Sequence, residues 1–165
     1  MDSATQPSCF NCDLRPDRMF CDLPADALQA FDSIKFISLV PRGETLFSEG
    51  RTPRGVFILC NGRAKLSVCS DNGKRLMLRV AGPGEVLGLS ASMSGKPYEV
   101  TAEMLDSSQV AFVRRRALLR FLREHSEACL QVVHLLSQDV HTAYDRVRSI
   151  GLSRSRRPKL VRARA

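Results

Sequence analysis

Through most of the chain, apolar residues come in short runs that partly alternate with polar ones. Glu44-Thr45-Leu46-Phe47, Gly55-Val56-Phe57-Ile58-Leu59-Cys60, Arg63-Ala64-Lys65-Leu66-Ser67-Val68, Arg75-Leu76-Met77-Leu78-Arg79-Val80 and Gln109-Val110-Ala111-Phe112-Val113 are rich in β-branched and apolar residues, which predicts strands. Glycines at 43, 50, 62, 73, 84 and 95 recur about every 7 to 12 residues, the turn spacing of short strands wound into a sandwich or barrel. Asp71-Asn72-Gly73-Lys74 reads as a hairpin loop, because Asn and Gly tolerate the positive φ of tight turns. Pro24 predicts a helix start with Leu28 and Phe31 on the buried face. Past the strands, Arg114-Arg115-Arg116 leads into Leu118, Leu119, Phe121 and Leu122, a short helix with its basic residues in water.

A second helix is predicted from Ser126, a capping residue followed by the first-turn acid Glu127, to a stop at Gly151. Within it Val133, Leu136, Val140, Ala143, Val147 and Ile150 repeat at 3-4-3-4-3 spacing. That is a heptad seam. About 25 residues at 1.5 Å each span roughly 38 Å, long for a helix buried in so small a domain, so a parallel homodimer is expected. Leu130, Val132, Leu135 and Tyr144 form a second apolar stripe, expected to face the strands. His134 and His141 fall outside the seam and His125 lies at a helix start; all three read as surface residues.

The 165 residues suffice for one core, and 44% apolar with 25% charged residues is ordinary for a globular protein. No run approaches the roughly 18 apolar residues of a membrane span, and the N-terminus has no secretory apolar core. A cytoplasmic location without membrane contact is expected. The net charge is +8, yet six of the 25 basic residues, Arg154, Arg156, Arg157, Lys159, Arg162 and Arg164, lie among the last twelve positions. Such a tail gives at most weak, sequence-blind affinity for nucleic acid, and it reads equally well as a solvated end.

Cys9, Cys12 and Cys21 form C-x2-C-x8-C ahead of the first helix. In a reducing compartment close-spaced thiols read as metal ligands or redox groups and not as disulfides. Thiolates suit zinc or iron–sulfur clusters. No nucleophile–base pair or carboxylate dyad stands at an interpretable spacing, so the chain does not read as an enzyme.

One stretch carries a family signature. Gly84-Glu85-Val86-Leu87-Gly88-Leu89-Ser90-Ala91, followed by Pro97-Tyr98-Glu99-Val100-Thr101-Ala102, resembles the phosphate-binding cassette of cyclic-nucleotide-binding domains, G-E-x-x-G-E-x-A and then P-R-S/T-A. With the strands and the long helix, residues Leu39 through Ile150 resemble the sensor half of CRP/FNR-family transcription regulators. The fold this implies is mainly β with α: a double-stranded β-roll of jelly-roll type plus a long C-terminal dimerisation helix. The expected divisions are a Cys-rich segment at 1–23, the roll with flanking helices at 24–125, the dimerisation helix at 126–151 and a basic tail at 152–165.

The resemblance also shows where this chain departs. The family's ribose-binding Glu is replaced by Leu89 and its phosphate-binding Arg by Tyr98, with Glu99 adding a repelling charge, while Glu85 keeps the first Glu of the pattern. Losing a buried charge partner costs about 2–5 kcal/mol, so no cyclic nucleotide is expected. FNR-type regulators hold a [4Fe-4S] cluster on N-terminal cysteines, which implies a cluster on Cys9, Cys12 and Cys21, with zinc as the alternative. Their fourth cysteine falls where this chain has Val110-Ala111-Phe112, leaving Cys60, Cys69 or Asp22 as candidate fourth ligands, and Cys129 reads as core. The family's helix-turn-helix follows the long helix. Only twelve residues follow Ser153, so DNA is expected to be reached through a domain missing from this chain or weakly through the tail. The competing reading is a zinc-stabilised effector-binding or protein-interaction module using a roll pocket lined by Leu87, Leu89, Ser92, Tyr98 and Thr101.

Overall fold

The computed structural model describes Cys12, Met19, Phe20 and residues 22–155, the side chains of residues 153–155 excepted. Eight strands form two four-stranded antiparallel sheets. In the first, β1 (Lys35–Val40), β8 (Ser108–Arg114), β3 (Gly55–Leu59) and β6 (Val86–Leu87) lie in that order. In the second, the order is β2 (Thr45–Phe47), β7 (Thr101–Met104), β4 (Ala64–Cys69) and β5 (Arg75–Ala81). Chain neighbours thus fall repeatedly in different sheets, which winds the strands into a roll. Its interior is apolar: Phe47, Leu59, Ala64, Leu66, Ala81, Leu87, Tyr98, Ala102, Met104 and Val110 form one buried cluster.

All five predicted strands are present. Strands β1, β6 and β7 are not among those predicted. Strand β1 is an edge that pairs only with β8 and leaves Phe36 and Leu39 exposed, and β6 has two residues, too few for a period to register. The Asp71–Lys74 loop joins β4 to β5 as predicted, closed by the Ser70 amide on the Lys74 carbonyl at 2.8 Å.

Helix α1 (Ala25–Ile34) has Pro24 at its N-cap, one position ahead of the first turn, and buries Leu28 and Phe31. Helix α2 (Leu89–Ser94) lies inside the cassette, and α3 (Arg115–Glu124) buries Leu118, Phe121 and Leu122 while Arg116, Arg120 and Arg123 are exposed. The last helix, α4 (Ser126–Ser155), does not stop at Gly151. Glycine lowers helix stability by about 1 kcal/mol relative to alanine, a local cost that does not by itself end a helix.

By contacts the chain divides into two units, 1–131 and 132–165. In the second, Val133, Val140, Val147 and Ile150 of the seam are exposed large apolar residues, Ala143 is exposed and Leu136 half-buried. Of the second stripe, Val132 is buried and Leu135 half-buried, but Leu130 and Tyr144 are exposed. The expectation that all four face the strands fails for Leu130 and Tyr144, which are 68% and 63% exposed.

Candidate functional site

The cassette runs from the β5–β6 turn through α2 into β7. Glu85 clasps its first turn, with one carboxylate oxygen accepting the Gly82 amide at 2.9 Å and the other accepting from the Arg79 guanidinium at 2.6 Å. The Glu85 carbonyl also accepts the Leu59 amide at 3.1 Å, which ties the turn to β3. So Glu85 is occupied in holding backbone. Gly88 follows with φ +78°, and a Cβ there would lie 2.8 Å from the Tyr98 ring. Only glycine serves at this position, for conformation and space alike.

Leu89 begins α2 and is buried. Tyr98 is 3% exposed, and its ring stacks on Phe47 with centroids 4.2 Å apart. Its hydroxyl donates to the Gly55 carbonyl at 2.8 Å and accepts the Arg54 and Gly55 amides at 3.1 and 3.3 Å. Gly55 is required by close approach, since a Cβ there would fall 2.1 Å from the Val113 carbonyl oxygen. Glu99 is exposed, and Thr101 Oγ1 accepts the Glu49 amide at 3.0 Å. Leu87, Leu89 and Ser92, expected to line a pocket with Tyr98, are themselves buried. Among the described residues the Ser92 hydroxyl has no hydrogen-bond partner.

Sequence reading missed Arg115. It extends from the start of α3 to donate through Nε to the Ser92 carbonyl at 2.7 Å, beside Gly95, where an added Cβ would lie 3.1 Å from its guanidinium. In sequence it is the middle of an arginine run, and nothing there separates the half-buried Arg115 from its exposed neighbours Arg114 and Arg116. Among the described residues a cleft of about 290 Å3 lies elsewhere, lined by Pro24, Asp26, Ala27 and Glu124–Glu127.

Residues 38–125 match the family described as the cyclic nucleotide-binding domain. The chain belongs to that family. Its β-roll with a long C-terminal helix is the sensor fold of CRP/FNR regulators, as the likenesses bear out. Transcriptional activator protein FnrA of Stutzerimonas stutzeri is 29% identical over 92% of this chain and 67% of its own length. The catabolite activator protein of Thermus thermophilus superposes with a TM-score of 0.73 at 18% identity, over 81% of this chain and 62% of that one. The sensor domain of the transcriptional regulator DNR from Pseudomonas aeruginosa superposes with a TM-score of 0.67 at 22% identity, over 80% of this chain and 89% of that one. Other curated relatives are matched over as little as 7% of their length. The family's module therefore occurs in proteins of very different size.

The cysteines divide by position. Cys9 and Cys21 lie outside the described residues, while Cys12 is half-buried and in no disulfide. The residues flanking Cys21 are held. Phe20 is buried, and the Asp22 carbonyl accepts from the Gln131 side chain at 3.2 Å. Of the proposed fourth ligands, Cys60 is half-buried directly after β3, and its amide donates to Gln109 of β8 at 2.9 Å. Cys69 is exposed in the other sheet, its amide donating to Glu49 at 2.8 Å, and Asp22 is exposed. Cys129 is half-buried on α4. Among the described residues no three His, Cys, Asp or Glu side chains gather into a metal site. Arg156, Arg157, Lys159, Arg162 and Arg164, and the side chain of Arg154, lie outside the described residues.

Proposed function

We propose that this chain is the sensory and dimerisation module of a CRP/FNR-type transcription regulator, responding to redox state, oxygen or nitric oxide and not to cyclic nucleotide. The observation that carries the reading is the buried Tyr98, hydrogen-bonded to β3 at the cassette position where the family places its phosphate-binding arginine. A roll closed to nucleotide leaves the cysteine segment as the chemistry suited to sensing. Likeness to FnrA supports this assignment.

Three thiols within the first 21 residues fit a soft-metal centre by donor chemistry. Cys9, Cys12 and Cys21 would hold a [4Fe-4S] cluster, whose disassembly by an oxidant is the chemistry such a group supplies. Cys60 is the fourth ligand we favour. It continues the β3–β8 pairing of Leu59 with Val110 and Ile58 with Ala111, so it stands beside the strand where FNR-type regulators carry theirs. By strand alternation it shares a sheet face with Ile58. Phe20 anchors the segment to α1 and α3 through its contacts with Phe31 and Phe121.

The seam on α4 would pair with a second copy, and DNA would be the partner of the assembled cytoplasmic regulator. Among the described residues no helix is long and apolar enough to cross a membrane. We assign no catalytic role.

Anaerobic purification followed by iron, acid-labile sulfide and zinc analysis tests the reading. Iron with sulfide, and a visible absorption that bleaches in air, are expected. Stoichiometric zinc without iron would replace the cluster by a structural zinc site and move the function to the effector-binding or protein-interaction alternative.

A further inference from the structure

Tyr98 is bonded unlike an ordinary core tyrosine. All three hydrogen bonds of its hydroxyl go to the backbone of one dipeptide, Arg54-Gly55, at the start of β3. The same dipeptide is tied to α3, because the Arg54 carbonyl accepts the Arg115 amide at 2.9 Å. Arg115 then returns to the cassette, donating from Nε to the Ser92 carbonyl of α2 at 2.7 Å. The segment that carries Tyr98 also pairs with the loop beside it, the Gly50 amide donating to the Tyr98 carbonyl and the Tyr98 amide to the Arg51 carbonyl, each at 2.9 Å. A closed circuit results, running from the cassette to β3, on to α3 and back to the cassette, with the phenol filling the space over Gly88.

A ligand that closes a binding segment does so by adding bonds between parts of the chain that are otherwise loosely joined. Here side chains of the chain supply those bonds, and no charge is desolvated at the phenol. We propose that Tyr98, with Arg115, acts as the cassette's built-in occupant and holds the segment from Gly88 to Tyr98 closed against β3 and α3 without an effector. The roll is then a fixed platform joining the cassette to α3, and a signal must enter elsewhere. The inference rests on the reading that this roll takes no cyclic nucleotide.

Hydrogen exchange on the full chain tests it, comparing the amides of Gly50, Arg54, Gly55, Ser92 and Tyr98 with those of β4 and β8. In the parent protein the cassette amides should be as protected as the strands, with no ligand added. Tyr98→Phe, which keeps the ring and removes the hydroxyl, should speed cassette exchange about tenfold or more while β8 is unchanged. Arg115→Gln should act in the same direction through the other arm of the circuit, and it carries the test if Tyr98→Phe does not yield folded protein. Unchanged cassette exchange in the variants, or an equal rise through the whole roll, would overturn the proposal. Protection that rises in the parent protein on adding millimolar cAMP would instead overturn the reading that the roll excludes nucleotide, and that result is separate from the response of the variants.

Discussion

The Phe20 ring stacks on Phe31 with centroids 4.8 Å apart and planes 24° from parallel. Both rings also meet Phe121 of α3, at 6.5 and 5.4 Å. One end of the cysteine segment is thereby fixed to two helices of the roll. The rings continue past Phe121 to His125, 4.8 Å away, the residue directly before α4.

That anchor gives the first prediction. Phe20→Ala removes a ring 2% exposed and should cost about 3 kcal/mol, read as a lower urea midpoint with an unchanged slope. Among the candidate ligands, Cys9→Ser, Cys12→Ser, Cys21→Ser and Cys60→Ser should each abolish bound iron, whereas Cys69→Ser and Asp22→Ala should retain it. Iron retained in Cys60→Ser and lost in Cys69→Ser would exchange the two assignments.

The cassette glycine gives the second. Gly88→Ala must place its Cβ 2.8 Å from the Tyr98 ring at φ +78°. Left-handed backbone and overpacking add, so a loss of about 2–4 kcal/mol is expected. Gly73→Ala, at φ +80° with nothing within 4 Å, carries only the backbone cost of about 1–2 kcal/mol. Thermal unfolding should rank the two in that order, and equal losses would mean that the ring is not closely packed on Gly88. Calorimetry with micromolar cAMP or cGMP should show no saturable heat for the parent protein.

The exposed seam gives the third. Val140 is 54% exposed in the single chain. Val140→Asp would bury a carboxylate at the centre of a paired seam, at a cost of several kcal/mol, enough to abolish a micromolar dimer. His141→Glu, one position along, should sediment like the parent. If both variants sediment as the parent does, α4 does not pair through this face.

The fourth concerns acid. Arg63 holds Asp106 by two hydrogen bonds, Nε to Oδ2 at 2.9 Å and Nη2 to Oδ1 at 3.2 Å. These bonds lower the carboxyl pKa from its ordinary value. A carboxyl whose folded pKa is depressed contributes stability above its unfolded pKa of about 3.9, and that stability is lost as pH falls through the folded value. Asp106→Asn should therefore be less stable than the parent at neutral pH, and the gap should close below about pH 4. Because the pair is solvent-exposed, added salt should also narrow the gap. A gap independent of both pH and salt would mean that the bonds matter only for shape.

Local pattern was enough for the elements with a period to read. Residues 55–60 form a short, continuous apolar run that ends at the turn-forming Asn61-Gly62, so β3 was legible, and Val133 through Ile150 repeat over enough turns to mark both a helix and its seam. The absence of the family's two ligand-binding side chains at Leu89 and Tyr98 was likewise visible in the sequence alone. What the tyrosine does was not. Its partners, Arg54 and Gly55, lie more than 40 residues earlier, and no periodicity connects the segment between α2 and β7 to the first residues of a strand in the other sheet. Arg115 was hidden for a related reason: whether one arginine in a run of three reaches a carbonyl or stays in water depends on which helix end lies opposite it. The helix stop expected at Gly151 erred because a glycine's local cost is small against the helix that continues around it. Short-range propensity and period are properties of the sequence, whereas hydrogen-bond partners and buried space exist only once distant segments have met.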